Sequence, residues 1–95
     1  MSEHIGKLER FRAKLLAEPD GGHAVVVPAD VRTRLGGPAR LRVRGTISGV
    51  DFRSNIFPYG GIPYLGIHKA TVQKGKLRGG EEVDIKLEID SQPRS

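Results

Sequence analysis

Residues 40–47, "RLRVRGTI", alternate without a break, with Leu41, Val43, Gly45 and Ile47 on one side and Arg40, Arg42, Arg44 and Thr46 on the other. A period of two is what a strand with one buried face requires. "EVDIKLEID" repeats the pattern, turning Val83, Ile85, Leu87 and Ile89 inward and Asp84, Lys86, Glu88 and Asp90 outward. "VDFRSNI" puts Val50, Phe52 and Ile56 on one face, and "HAVVVP" is a short β-branched run closed by proline, as a buried strand would be. Two segments switch to helical spacing. In "PADVRTRLGG" Val31 and Leu35 stand four apart, Pro28 suits the helix start and Gly36 its C-terminal cap. "HKATVQKG" is a weaker counterpart, with Val72 inward and Gly75 closing.

These elements occur twice in the same order. Residues 11–45 and 52–88 each open on Phe-Arg, reach a Gly-Gly pair, run through an apolar stretch and a short helical segment, and end on an alternating strand. The first element is ambiguous on its own. "KLERFRAKLLAE" places Leu8, Phe11 and Leu15 at helical spacing, while Phe11, Ala13 and Leu15 alternate as in a strand. Its echo in "FRSNI", where Ser-Asn disfavours a helix, favours the strand. Gly21-Gly22 follows Pro19-Asp20 and Gly60-Gly61 follows Pro58-Tyr59, which is turn chemistry between strands. A phosphate-cradling loop would need a helix to follow each pair, and a strand follows instead. Two such units, each too small to bury its own apolar face, predict a mainly β protein: a small closed six-stranded, double-split barrel with two short helices. The expected domain spans 8–90, with flexible tails at 1–7 and 91–95.

Composition narrows the classes. The chain has 95 residues, 37% hydrophobic and 28% charged, enough for one soluble domain. Five per cent aromatics and no tryptophan leave the core to Val, Ile and Leu. With no cysteine there is no disulfide, thiolate metal site or cysteine nucleophile, and a reducing cytoplasm is the expected location. No apolar run approaches the roughly 20 residues of a membrane span. A net charge of +5 raises the question of an acidic partner.

"VVVPADVRTRLG", "RLRVRGTISGVDFRSNIFPYGGIPYLGIHKA" and "GGEEVDIKLEIDSQPR" together resemble the small bacterial family catalogued as domain of unknown function 1905. The resemblance runs from about Phe11 to Arg94, and its most specific pieces are the Val-Pro before the first helix, "VRGTISGVDFR" and "HKA". It implies a double-split barrel related in shape to the AbrB/MazE swapped-hairpin domains, in a fused single-chain version. It implies no activity.

Three function classes follow. Arg32, Arg34, Arg40, Arg42 and Arg44 cluster around the first helix and the strand after it, and arginine forks suit phosphates and guanine edges. Against DNA stands the acidic stripe Glu82, Asp84, Glu88 and Asp90, which would pair with those arginines if the strands lie together. A binding or accessory module for a small anionic ligand or a protein partner is the favoured class. Arg44, Arg53, His68 and Lys69 are its convergent polar groups, with Tyr59 and Tyr64 as cleft walls. An enzyme is least expected: the three histidines lack metal-ligand spacing, no serine sits in a nucleophile elbow, and no cofactor or metal is called for. A closed barrel leaves no free edge, so a monomer is expected.

Overall fold

The computed structural model describes residues 8–90, so the expected tails lie outside the described residues. Seven strands and two helices follow in the order β1 (Glu9–Lys14), β2 (Leu16–Ala17), β3 (His23–Val26), α1 (Ala29–Leu35), β4 (Leu41–Ile47), β5 (Val50–Tyr59), β6 (Ile62–Ile67), α2 (Lys69–Gly75) and β7 (Glu82–Ile89). They form one antiparallel sheet, ordered β1-β7-β4-β5-β6-β3-β2 and curled around a single core.

This corrects the closed six-stranded barrel: the described sheet has seven strands and ends at β1 and β2. The extra strand comes from a break inside the first element. Leu15 has no exposed surface; its N–H donates to the Glu81 carbonyl at 2.9 Å and its carbonyl accepts from the Gly80 N–H at 2.6 Å. The chain bends there, pairing with β7 before the bend and with β3 after it. The first element is therefore extended, with Phe11 and Ala13 packed on the core. Leu8, whose helical spacing was the rival signal, is 55% exposed. With two terminal strands in the sheet, edge closure does not fix the oligomeric state.

The alternating segments bury their apolar positions except at the end of β7, where Ile89, expected inward, is 38% exposed and Asp90, expected outward, is buried. Leu41, Val43, Ile47, Val83, Ile85 and Leu87 are all buried on the inner face. Val31 and Leu35 of α1 join them, with Pro28 before the helix and Gly36, at φ 68°, ending it. Gly60 and Gly61, at φ 60° and 81°, form a two-residue turn between Tyr59 and Ile62, the left-handed pair that a type I′ hairpin demands. One polar group faces inward on β5: the Ser54 hydroxyl donates to the Gly66 carbonyl at 2.6 Å and so carries no unmet hydrogen bond.

Among the described glycines, Gly45 of β4 has the least room, against the backbone of β7. A Cβ on Gly45 would stand 1.8 Å from the Lys86 carbonyl oxygen and 2.7 Å from the Leu87 Cα. Backbone atoms cannot swing aside as a side-chain tip can, so the two strands would have to part. Gly45→Ala is expected to destabilise by about 3 kcal/mol or more in urea unfolding. Gly49→Ala meets open space and bears only the left-handed φ of 83°, for about 1–2 kcal/mol. Equal losses at the two positions would refute the close-approach account.

Candidate functional site

Alternation sends every second side chain of β1, β7, β4 and β5 to the outer face, and the register decides which charges meet there. Lys14 lies opposite Glu82, Arg12 opposite Asp84, and Arg10 opposite Lys86 on the β1–β7 ladder. Across β7 and β4, Lys86 faces Thr46 and Glu88 faces Arg44; across β4 and β5, Arg44 faces Arg53 and Arg42 faces Asn55. Two rows thus set cation against cation, an arrangement that destabilises a sheet unless an anion intervenes.

The Arg44–Arg53 row has its anions. The Arg44 Nε donates to Glu88 Oε2 at 3.0 Å, and the Arg53 Nε donates to Asp90 Oδ2 at 2.9 Å. The Asp90 side chain is wholly buried. Its hydrogen bond, and then its charge, raises the Arg53 guanidinium above its ordinary pKa against an opposing burial effect. A raised folded-state value means that the pair contributes fully at every pH below the ordinary guanidinium range. Its contribution is lost only as strongly alkaline pH passes through the raised value.

The Arg10–Lys86 row has no such relief. The nearest carboxylates on β7 are engaged: Asp84 accepts from the Arg12 Nε at 2.7 Å and Glu88 from Arg44. Neither Arg10 nor Lys86 forms a hydrogen bond or ion pair among the described residues. Together with Phe11, Arg12, Asp84 and Ile85 they line an open groove of about 360 Å³. The alternation of Arg10, Arg12 and Lys14 is visible in the sequence, but only the register reveals that Lys86 stands against Arg10.

The sequence-predicted ligand residues fall in three places. Arg44 and Arg53 are cross-strand neighbours. Tyr59 and Tyr64 meet on the β5–β6 hairpin with ring centroids 6.4 Å apart, and Phe57 stacks on Tyr64 at 6.2 Å. His68 precedes α2 with no side-chain capping bond, and Lys69 opens that helix; both are exposed. Arg53 and Tyr59 are six residues apart on one strand, about 20 Å. The predicted nucleic-acid set is largely engaged within the fold. Arg32 donates to the Gly36 carbonyl at 2.8 Å and to that of Pro38, closing the end of α1. Arg34 bonds Glu9 at 2.9 Å and Asp30 at 3.3 Å. The Glu9 hydrogen bond raises its guanidinium above the ordinary value, with burial the main opposing effect. Arg40 and Arg42 remain exposed, without a side-chain partner among the described residues.

A family model described as "Domain of unknown function (DUF1905)" matches residues 8–87. No curated protein matches the chain.

Burial separates two of the outer ion pairs, Arg53–Asp90 and Arg12–Asp84, in a way that unfolding can read. Arg53→Ala takes one partner from a carboxylate that no water reaches, and a clear fall in Tm is expected. Arg12→Ala removes a pair in which both side chains are about two-thirds exposed, and Tm should hardly move. The reverse order in thermal unfolding would show that burial does not rank these pairs.

Proposed function

The chain belongs to the DUF1905 family, whose description names no activity, and we propose from its own surface that it is a non-enzymatic binding module for a small anionic ligand held between Arg10 and Lys86. The observation that carries this reading is the unrelieved cation pair at the groove. A phosphate or carboxylate seated between the two would turn a repulsive row into two charge-assisted contacts. Arg10 supplies a planar fork and Lys86 a compact charge, a combination suited to a tetrahedral or planar oxyanion. Arg12, tethered by Asp84, walls one side, while Phe11 and Ile85 lie between the charged positions. Arg44 and Arg53 form a second cationic row on β4 and β5, outside the lining of the groove, each already holding its acid. Descent of the two halves from one ancestral unit is part of the same proposal. Its support is that exchanging the halves maps the β1–β7 pairing onto β5–β4 and the β2–β3 pairing onto β5–β6.

Lys86→Glu separates this reading from a merely tolerated repulsion. The variant faces Arg10 with an acid, so its Tm without added ligand should rise. Inorganic phosphate at millimolar concentration should raise the Tm of the unaltered protein by mass action, relative to chloride of equal ionic strength. The variant should show no such response. A phosphate response that survives Lys86→Glu and Arg10→Ala, or none in the unaltered protein, would sink the proposal.

A further inference from the structure

Two acid-free runs carry the positive charge of this protein, residues 31–50 and residues 68–80. Residues 68–80, "HKATVQKGKLRGG", carry Lys69, Lys74, Lys76 and Arg78 and no acid. They take four of the sixteen Lys and Arg and none of the eleven Asp and Glu, leaving twelve cations against eleven acids in the rest of the chain. Residues 31–50 hold five arginines and no acid, but three of them, Arg32, Arg34 and Arg44, are bound within the fold.

The fold presents these cations outward and holds their backbone. Thr71 is the buried residue of α2 and Val72 packs against the core, while Lys69 and Lys74 lie on the exposed side. Lys76 takes a left-handed conformation at φ 52°, and its N–H and that of Leu77 bond back to the carbonyls of Gln73 and Val72. Leu77 is buried, and the Gly80 N–H donates to Leu15. Arg78 is therefore bracketed by two anchored residues. All four cations are exposed, and none has a hydrogen bond or ion pair among the described residues, unlike Arg12, Arg34, Arg44 and Arg53.

We propose that this face, α2 with the turn that follows it, docks on the phosphate backbone of duplex nucleic acid without reading sequence. Cations on a pre-ordered backbone match a fixed array of phosphates, and counterion release drives such contacts. An anionic lipid surface fits less well. The exposed side of α2 carries Lys69, Ala70, Gln73 and Lys74, with no large apolar side chain to enter a bilayer, and the helix is seven residues long. A single strand would want bases stacked on aromatic rings, and residues 68–80 contain no Phe, Tyr or Trp. The face is separate from the Arg10–Lys86 groove, and it is not the arginine cluster around α1, whose charges are mostly spent on Glu9, Glu88 and backbone carbonyls.

Fluorescence anisotropy with a labelled mixed-sequence DNA duplex, read across a salt series, tests this. At low salt the expected affinity is micromolar, weakening with a log–log slope of about −0.9 for each phosphate contacted. Replacing Lys69, Lys74 and Arg78 by Ala and Lys76 by Gly should lower the affinity at least about tenfold and flatten the slope by roughly 2–4. Lys74→Glu alone, at an exposed position that cannot unsettle the core, should weaken binding in the same direction. Arg10→Ala with Lys86→Ala should leave duplex binding intact, so that failure here and failure of the groove reading stay distinguishable. The proposal is overturned by no duplex binding at low salt or by equal binding of the fourfold variant. It is equally overturned by tighter binding to a single strand of the same length, or by capture on anionic vesicles in place of duplex.

Discussion

The contact between β4 and β7 at Gly45 governs more of this molecule than any other. It joins the strand that closes the first half of the chain to the strand that closes the second, at a separation where a single methyl group has no room. Register follows from it, and from register follows the whole outer face. With Gly45 opposite Leu87, Arg44 falls against Glu88 and Lys86 against Thr46. One residue of slip would turn the outer charges into the core. The neutral neighbour at Thr46 is also why Lys86 looks only to β1 for a partner, and finds Arg10.

Burial sorts the charges into two kinds. Asp90 and Glu9 are acids withdrawn from water, each gripped by an arginine whose own outer part stays solvated. Such pairs tie elements together: Glu9 fastens β1 to α1, and Asp90 fastens the end of β7 to β5 across the intervening β4. A buried carboxylate is costly without its partner, so these contacts act as locks on geometry rather than as large sources of stability. The remaining cations lie on open ground. Arg10 and Lys86 line an open groove, and Lys69, Lys74, Lys76 and Arg78 stand exposed on α2 and the turn after it. Their availability follows from where the acids were spent.

The strands that bury one face were legible because burial imposes alternation, as in residues 41–47 and 83–87; past Leu87 the pattern fails, and Asp90 rather than Ile89 is buried. The hairpin at Gly60-Gly61 was legible because only glycine takes those angles freely. The bend at Leu15 was not, although two adjacent leucines already break the period of two there. Reading through them joined β1 and β2 into one strand and closed the barrel on paper. The candidate site was hidden for a different reason: which cation meets which acid is a long-range matter. Arg10 and Lys86 are 76 positions apart, and nothing near either one announces the other. Arg32 looked like a phosphate-seeking arginine until the turn at 36–38 brought two carbonyls to it. The cations after His68 are adjacent in the sequence, but their outward setting rests on the burial of Thr71 and Leu77, which the weak apolar spacing of α2 does not announce.

The bend at Leu15 also has a consequence for the order in which the molecule can be assembled. Residues on its two sides serve opposite ends of the sheet, so β1 emerges from the ribosome before any strand it can pair with. Its ladder partner is β7, and the pair joins Glu9 to Leu87. While the chain grows, the hairpin of β4 with β5 and that of β5 with β6 can form from neighbours in sequence. β1, by contrast, must wait as an unpaired edge with Phe11 and Ala13 uncovered. Arg10, Arg12 and Lys14 lie along that waiting strand, and charges of one sign are what keep an exposed edge from pairing with another nascent chain. The charges that line the outer face of β1 in the finished fold would then have served, during synthesis, to keep other chains away.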